Sequence, residues 1–275
     1  MIGQKELIMR LNDLINIGKF PSFCILVGPR GSGKKLMADN IVSWLKSSDM
    51  YPNHIVKYTL PDLRVDTVRQ MIEDAYTIKE FTVMIIEDAD TMSLNAKNAL
   101  LKITEEPPEN VIFIMTLRDL SNTLPTIKSR ANYFQMDIYT IDEILEYAKL
   151  SNEDSRILSV CETPGEVDLM KKCGIKELSE YVNLVIDNIA EVQPANAFKS
   201  SSKLALKTDE GIDLGLFWKV FIDQCAYRMI YGGDKKKYAQ GVLCTADFVK
   251  CLNSNNVNKS QLYDSWVFDI RKVWG

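Results

Sequence analysis

The sequence predicts an α/β module built on a mostly parallel sheet, followed by an all-helical half. Three observations carry this reading. An apolar run, Phe23 to Val27, leads into the glycine loop Gly28-Pro29-Arg30-Gly31-Ser32-Gly33-Lys34-Lys35, and a helical pattern follows from Leu36 to Leu45. Two more continuous apolar runs, Phe81–Ile86 and Val111–Thr116, alternate with helical stripes, as buried parallel strands do. Beyond about residue 138 the strand signals stop.

Taken in order, Lys5 to Ile17 carries Leu7, Ile8, Leu11, Leu14 and Ile15 at helical spacing. Lys19-Phe20-Pro21 ends that helix, and the first strand spans Ser22 to Val27. The loop helix runs to Lys46, and His54 to Thr59 alternates as a strand. Asp66 to Ile78 reads as a helix with Val68, Met71, Ile72 and Ala75 on one face, and Asp66 is placed to cap it. Ser93 to Glu105 is a helix stopped by Pro107-Pro108. Pro125 to Arg130 makes a short helical turn, and Tyr133 to Met136 a last strand. Helices are then expected over Ile141–Leu150, Ser155–Cys161, Gly165–Lys172, Lys176–Ile189, Leu214–Tyr231, Tyr238–Leu252 and Lys259–Val273. Lys199-Ser200-Ser201-Ser202-Lys203 interrupts them, and Asn253-Ser254-Asn255-Asn256 is a turn.

Composition narrows the function classes. A chain of 275 residues, 46% hydrophobic and 25% charged, fits an ordinary globular protein of one large or two to three small domains. No apolar run of about 18 residues suggests a membrane span, and the N-terminus lacks a signal-peptide plan, so a cytoplasmic protein without membrane contact is expected. Six scattered cysteines, with no CxxC pair, read as buried or free thiols. His54 is the one histidine, which argues against histidine metal sites and Ser/His or Cys/His hydrolysis. A net charge of −4 provides no global attraction for nucleic acid. The runs Lys235-Lys236-Lys237 and Lys171-Lys172 read first as solvated faces.

The loop has the spacing of a phosphate-binding P-loop. Gly28, Gly31 and Gly33 allow backbone N–H groups to curl around phosphate oxygens, the helix N-terminus adds its dipole, and Lys34 supplies a point charge. The next position breaks the pattern. A serine or threonine hydroxyl should hold Mg²⁺ there, and Lys35 cannot ligate a cation. Glu87 and Asp88 close the run Phe81–Ile86. In a Walker B site such acids orient Mg²⁺ and the attacking water; the plainer alternative is two acids in a strand-to-helix turn.

Asn98-Ala99-Leu100-Leu101-Lys102-Ile103-Thr104-Glu105-Glu106-Pro107-Pro108, with Leu124-Pro125-Thr126-Ile127-Lys128-Ser129-Arg130 about twenty residues on, closely resembles two sequence boxes of AAA+ clamp-loader subunits. Ile2-Gly3-Gln4 is similar to the family's N-terminal box, beside the adenine pocket. The resemblance covers about residues 2 to 136 and continues more loosely through Pro164-Gly165 and Asp213 to Trp218. It implies a P-loop AAA+ domain over 1–137, a small helical lid over 138–178 and a helical oligomerisation collar over 179–275. It implies partners as well: motor subunits and a delta subunit in a hetero-pentamer, and through them a sliding clamp and primed DNA. Arg130 becomes an arginine finger offered to a neighbour's nucleotide; taken alone it reads first as a surface arginine capping a short helix. Gly28, Gly31, Gly33, Lys34 and Lys35 become a degenerate site for ATP or ADP, with Glu87 and Asp88 as a degenerate Walker B pair. Zinc-bearing members carry four cysteines between the loop helix and the next strand; Ser47 to Asn53 has none, so no zinc is expected.

Other departures concern hydrolysis. Leu117 and Arg118 stand where ATPase members carry a small polar sensor, Glu166 where they place a sensor arginine, and Ala131 where the box has cysteine. Lys102 is read as a solvated helix residue, and Phe217, Trp218 and Phe221 as packing. Two readings stay open: an assembly subunit that turns nothing over itself, and a working P-loop ATPase. A stand-alone nucleic-acid-binding protein is disfavoured by the acidic balance and the lack of a basic stripe.

Overall fold

A computed structural model describes residues 2–149, 158–189, 214–252 and 259–274. The chain forms two compact units, Met1–Tyr139 and Thr140–Gly275. The expected interruption at Lys199–Lys203, the turn Asn253–Asn256 and the first three residues of the expected helix Ser155–Cys161 lie outside the described residues, and beyond Leu158 that segment is a turn rather than a helix.

The first unit contains α1 (Lys5–Asn16), β1 (Phe23–Val27), α2 (Lys34–Ser47), β2 (Val56–Thr59), α3 (Val65–Thr77) and β3 (Thr82–Ile86). It continues with α4 (Leu94–Ala99), α5 (Leu101–Glu105), β4 (Val111–Leu117), α6 (Pro125–Arg130) and β5 (Asn132–Gln135). The five strands pair in the order β2-β3-β4-β1-β5, every neighbour parallel. Every residue of β1, β3 and β4 is buried, which is why these strands read as unbroken apolar runs. Alternate side chains serve two cores. Phe23, Ile25, Met84, Ile86, Phe113 and Met115 pack with Val68, Met71, Leu100 and Ile127. Cys24, Leu26, Val83, Ile85, Ile112 and Ile114 pack with Leu7, Leu11, Met37, Ile41 and Leu45. At the sheet edge β2 is shorter than expected, with Lys57 and Tyr58 exposed, and His54 falls outside it.

Two local expectations change. Asp66 does not cap α3: Arg64 is the N-cap residue without a side-chain bond, and Asp66 sits inside the first turn, favourable to the helix dipole. The Asp62 carboxylate instead accepts from the Arg64 N–H at 3.0 Å. The expected helix Ser93–Glu105 is divided at Leu100, whose N–H donates to the Lys97 carbonyl three residues back rather than four. Its start is as expected, with Ser93 Oγ accepting from the Ala96 N–H at 3.3 Å.

The second unit is helical where described: α7 (Ile141–Ala148), α8 (Pro164–Cys173), α9 (Ile175–Asn188), α10 (Leu214–Tyr231), α11 (Lys235–Leu252) and α12 (Lys259–Trp274). Thr140 and Glu143 form a reciprocal capping box at α7, and Thr163 caps α8. Helix α11 begins three residues before Tyr238, because Asp234 accepts from the Lys237 N–H at 3.0 Å and so supports a lysine-rich first turn. Trp218 is the centre of this unit's core, with Trp266, Phe217 and Phe248 ring centroids 4.7, 4.8 and 4.8 Å away.

Candidate phosphate-binding site

Strand β1 lies between β4 and β5, so the loop leaving its carboxyl end opens at a point where the chain's strand order diverges, the usual place for ligands in open parallel sheets. Gly31 and Gly33 have φ of 80° and 90°, a left-handed backbone that a side chain would strain. Gly28 has a different reason: a Cβ there would stand 2.8 Å from Met136 Cβ and 2.9 Å from Ser32 Oγ.

The two adjacent lysines behave differently. Lys34 is 7% exposed, and its ammonium donates to the Gly28 and Pro29 carbonyls at 2.7 and 2.8 Å. Burial lowers its pKa; Asp88 and Asp90 pull it upward, and Arg118 pushes it further down. Lys35 is exposed, and its ammonium is 2.9 Å from Glu87 Oε2. The hydrogen bond to Glu87 and that carboxylate's charge raise the Lys35 pKa. Exposed pairs of this kind contribute about 0–1 kcal/mol to stability, so the pair matters more for where it places charge.

The ends of β3 and β4 are stitched together beside the loop. The Asp88 N–H donates to Thr116 Oγ1 at 2.9 Å, and the Arg118 N–H donates to both Asp90 oxygens at 2.9 Å. Asp88 adopts φ 49°, which turns the chain out of the strand. Thr116 and Asp90 escaped the sequence reading; the polar Thr116 closing an apolar strand was the available signal. Gln4 does a similar job: its side chain donates to the Asp137 carbonyl at 2.9 Å and accepts from the Asp137 N–H at 2.7 Å. The Tyr139 hydroxyl donates to the Ser32 carbonyl at 2.8 Å. Ser32 is fully buried, and its Oγ has no hydrogen-bond partner among the described residues.

Loop residues Gly28, Gly31, Gly33, Lys34 and Lys35 thus lie together with Glu87 and Asp88, whereas Arg130 makes its contacts elsewhere. Its guanidinium pairs with Glu105 at 3.0 Å and donates to the Thr126 carbonyl at 3.2 Å. Glu166 is engaged within the second unit, where both its oxygens accept from Lys219 at 2.8 and 2.9 Å. Burial would lower the Lys219 pKa, but Glu166 and Glu162 more than offset it and the net direction is upward. The carboxylate that stands in place of a sensor arginine is therefore charge-balanced by a lysine of α10. No described helix is long and apolar enough to cross a membrane.

The parallel sheet, the loop and the helices around them define an α/β AAA+ fold. A gamma-subunit-related protein of DNA polymerase III from Thermotoga maritima superposes with a TM-score of 0.55 at 15% identity, covering 96% of this chain and 99% of its own. A RuvB variant from the same organism gives 0.50 at 16% identity, covering 96% and 82%. At these identities the likeness is one of fold. In sequence, the family described as DNA polymerase III, delta subunit, matches residues 53–139. The DNA polymerase III subunit gamma of Buchnera aphidicola (Acyrthosiphon pisum) is 29% identical over 54% of this chain and 47% of its own length. Replication factor C subunit 3 of Schizosaccharomyces pombe is 27% identical over 49% and 41%. These matches support the clamp-loader AAA+ family without singling out a subunit type, and the chain spans about half the length of the curated relatives it matches.

Proposed function

We propose that the chain is a delta-prime-type subunit of a DNA polymerase III clamp loader, acting in DNA replication as an assembly subunit that hydrolyses ATP weakly or not at all. The observation that carries this reading is Lys35: an ammonium stands where a Mg²⁺-binding hydroxyl is needed, and it occupies Glu87, the first acid of the Walker B pair. The match to the delta-subunit family over residues 53–139 supports it. In this reading the chain beyond residue 137 divides into a lid over 138–178 and a collar over 179–275. The collar assembles the chain with motor subunits and a delta subunit in a hetero-pentamer that loads a sliding clamp on primed DNA. Arg130, at the solvent-facing end of α6, is offered across a subunit interface to the γ-phosphate held by a neighbour, where a guanidinium stabilises developing charge.

A second reading, an active motor subunit, is favoured by the similarity to gamma subunits and by the retention of Lys34, Glu87 and Asp88. ATPase assays separate the two. The first expects no turnover alone, stimulation on mixing with motor subunits, delta subunit, clamp and primed DNA, and loss of that stimulation with Arg130→Ala. Robust turnover by the isolated chain that vanishes in Lys34→Ala would establish the motor instead.

A further inference from the structure

We infer that Lys35 is the resident cation of this site: the loop takes the phosphates of a nucleoside di- or triphosphate without a divalent metal, and the Lys35–Glu87 pair keeps Mg²⁺ out. This rests on the reading of residues 28–34 as a phosphate loop and deepens it.

The phosphate half of the site fits such a ligand. Gly31 and Gly33 hold the left-handed turns of the loop, and α2, whose N-terminus follows them, is 14 residues long. Lys34 supplies a cation at the loop's centre. Ser32 Oγ is buried and unpartnered beside Gly28, a polar atom left for a ligand oxygen to satisfy.

The metal half does not fit. Position 35 offers three N–H donors and no lone pair. Its ammonium is seated on Glu87 Oε2, so a divalent ion approaching that carboxylate must either expel Lys35 or lie within a few ångströms of a like charge. Displacement leaves the ammonium in the same neighbourhood, because Lys35 sits in the first turn of α2. The surrounding charges agree. Lys34, Lys35 and Arg118 face Glu87, Asp88 and Asp90, and Asp39 beside Lys35 is paired with Lys57, so each of these carboxylates is already matched by a cation of the protein. In a site that uses Mg²⁺, the metal bridges phosphate and protein oxygens; here the bridge is a lysine already bonded to Glu87.

The test is equilibrium binding of ATP and of ADP to the full chain by isothermal titration calorimetry, in excess EDTA and in excess Mg²⁺, for wild type and Lys35→Thr. Wild type should bind with affinities in the two conditions that agree within about threefold, while Lys35→Thr should bind at least about tenfold more tightly with Mg²⁺ than with EDTA. Failure of wild type to bind either nucleotide, or a tenfold gain from Mg²⁺ in wild type, overturns the inference. The wild-type titrations decide this even if Lys35→Thr does not fold, and Glu87→Gln, which removes the pair without adding a metal ligand, should remain indifferent to Mg²⁺. A chain that binds no nucleotide can still donate Arg130, so the ATPase assay on the mixed subunits judges the proposed function separately.

Discussion

At the loop, Lys34 is buried and bonded to two carbonyls of its own turn, and Lys35 is tied to Glu87. At the end of α6, Arg130 keeps 39% of its side chain exposed, and Glu105, itself 52% exposed, is its carboxylate partner. A buried ammonium that has surrendered its water is costly to move, whereas an exposed ion pair exchanges readily with solvent or with another anion. Lys34 therefore suits a fixed structural charge, whereas the Arg130–Glu105 pair, like Lys35 on Glu87, is exposed enough to change partners.

The sharpest way to break this contrast is Arg130→Ala. Partner-stimulated ATP hydrolysis should fall by about 10³-fold, the lower end of the arginine-finger range, while urea denaturation of the isolated chain shifts by no more than about 0.5 kcal/mol. A stability loss comparable to the kinetic one would make Arg130 a structural residue. Gly28→Ala reverses the pattern: its Cβ meets Met136 and Ser32, so unfolding stability should drop by about 1–3 kcal/mol, as overpacked sites do. An unchanged urea midpoint would mean the loop is looser than its contacts indicate.

The pH dependence sharpens the comparison further. Lys34 has a folded-state pKa below its usual 10.5, so between the two values the unfolded chain holds more protons and stability rises with pH. The stability of wild type minus that of Lys34→Met should therefore increase across that alkaline window and level off above 10.5; no change would place the ammonium in solvent, and a decrease would mean that its neighbours raise its pKa instead. Lys35→Ala should have the smallest effect, within about 1 kcal/mol and fading as salt is added. A larger, salt-insensitive loss would show that this pair is structural.

Strands β1, β3 and β4 were legible because both faces are buried, which forces an unbroken apolar run. The loop and its defective position were legible because backbone curvature and phosphate chemistry demand particular residues at fixed spacing. What escaped was set by distant partners. Glu166 meets Lys219 across 53 residues, and Gln4 meets Asp137 across 133; neither residue type announces its partner. The break at Leu100 was hidden for a related reason. Nothing in Asn98-Ala99-Leu100-Leu101 disfavours a helix, and the i−3 bond there concerns backbone geometry alone. Asp66 stands two residues past the cap, and an acid inside the first turn and an acid at the cap look alike in sequence.

One contact gives the phosphate loop a mechanical connection. Tyr139 is the last residue of the first unit, and its hydroxyl is bonded to the Ser32 carbonyl 107 residues earlier. Buried at both ends, that bond has no water ready to replace it, so breaking it costs about 1–3 kcal/mol. This is the usual size of an allosteric coupling energy, about 5- to 150-fold in a population ratio. A rearrangement of the loop that withdraws the Ser32 carbonyl therefore has to break the Tyr139 bond as well, and a displacement of Tyr139 frees that carbonyl. The tyrosine works as a latch that ties the last residue of the first unit to the loop.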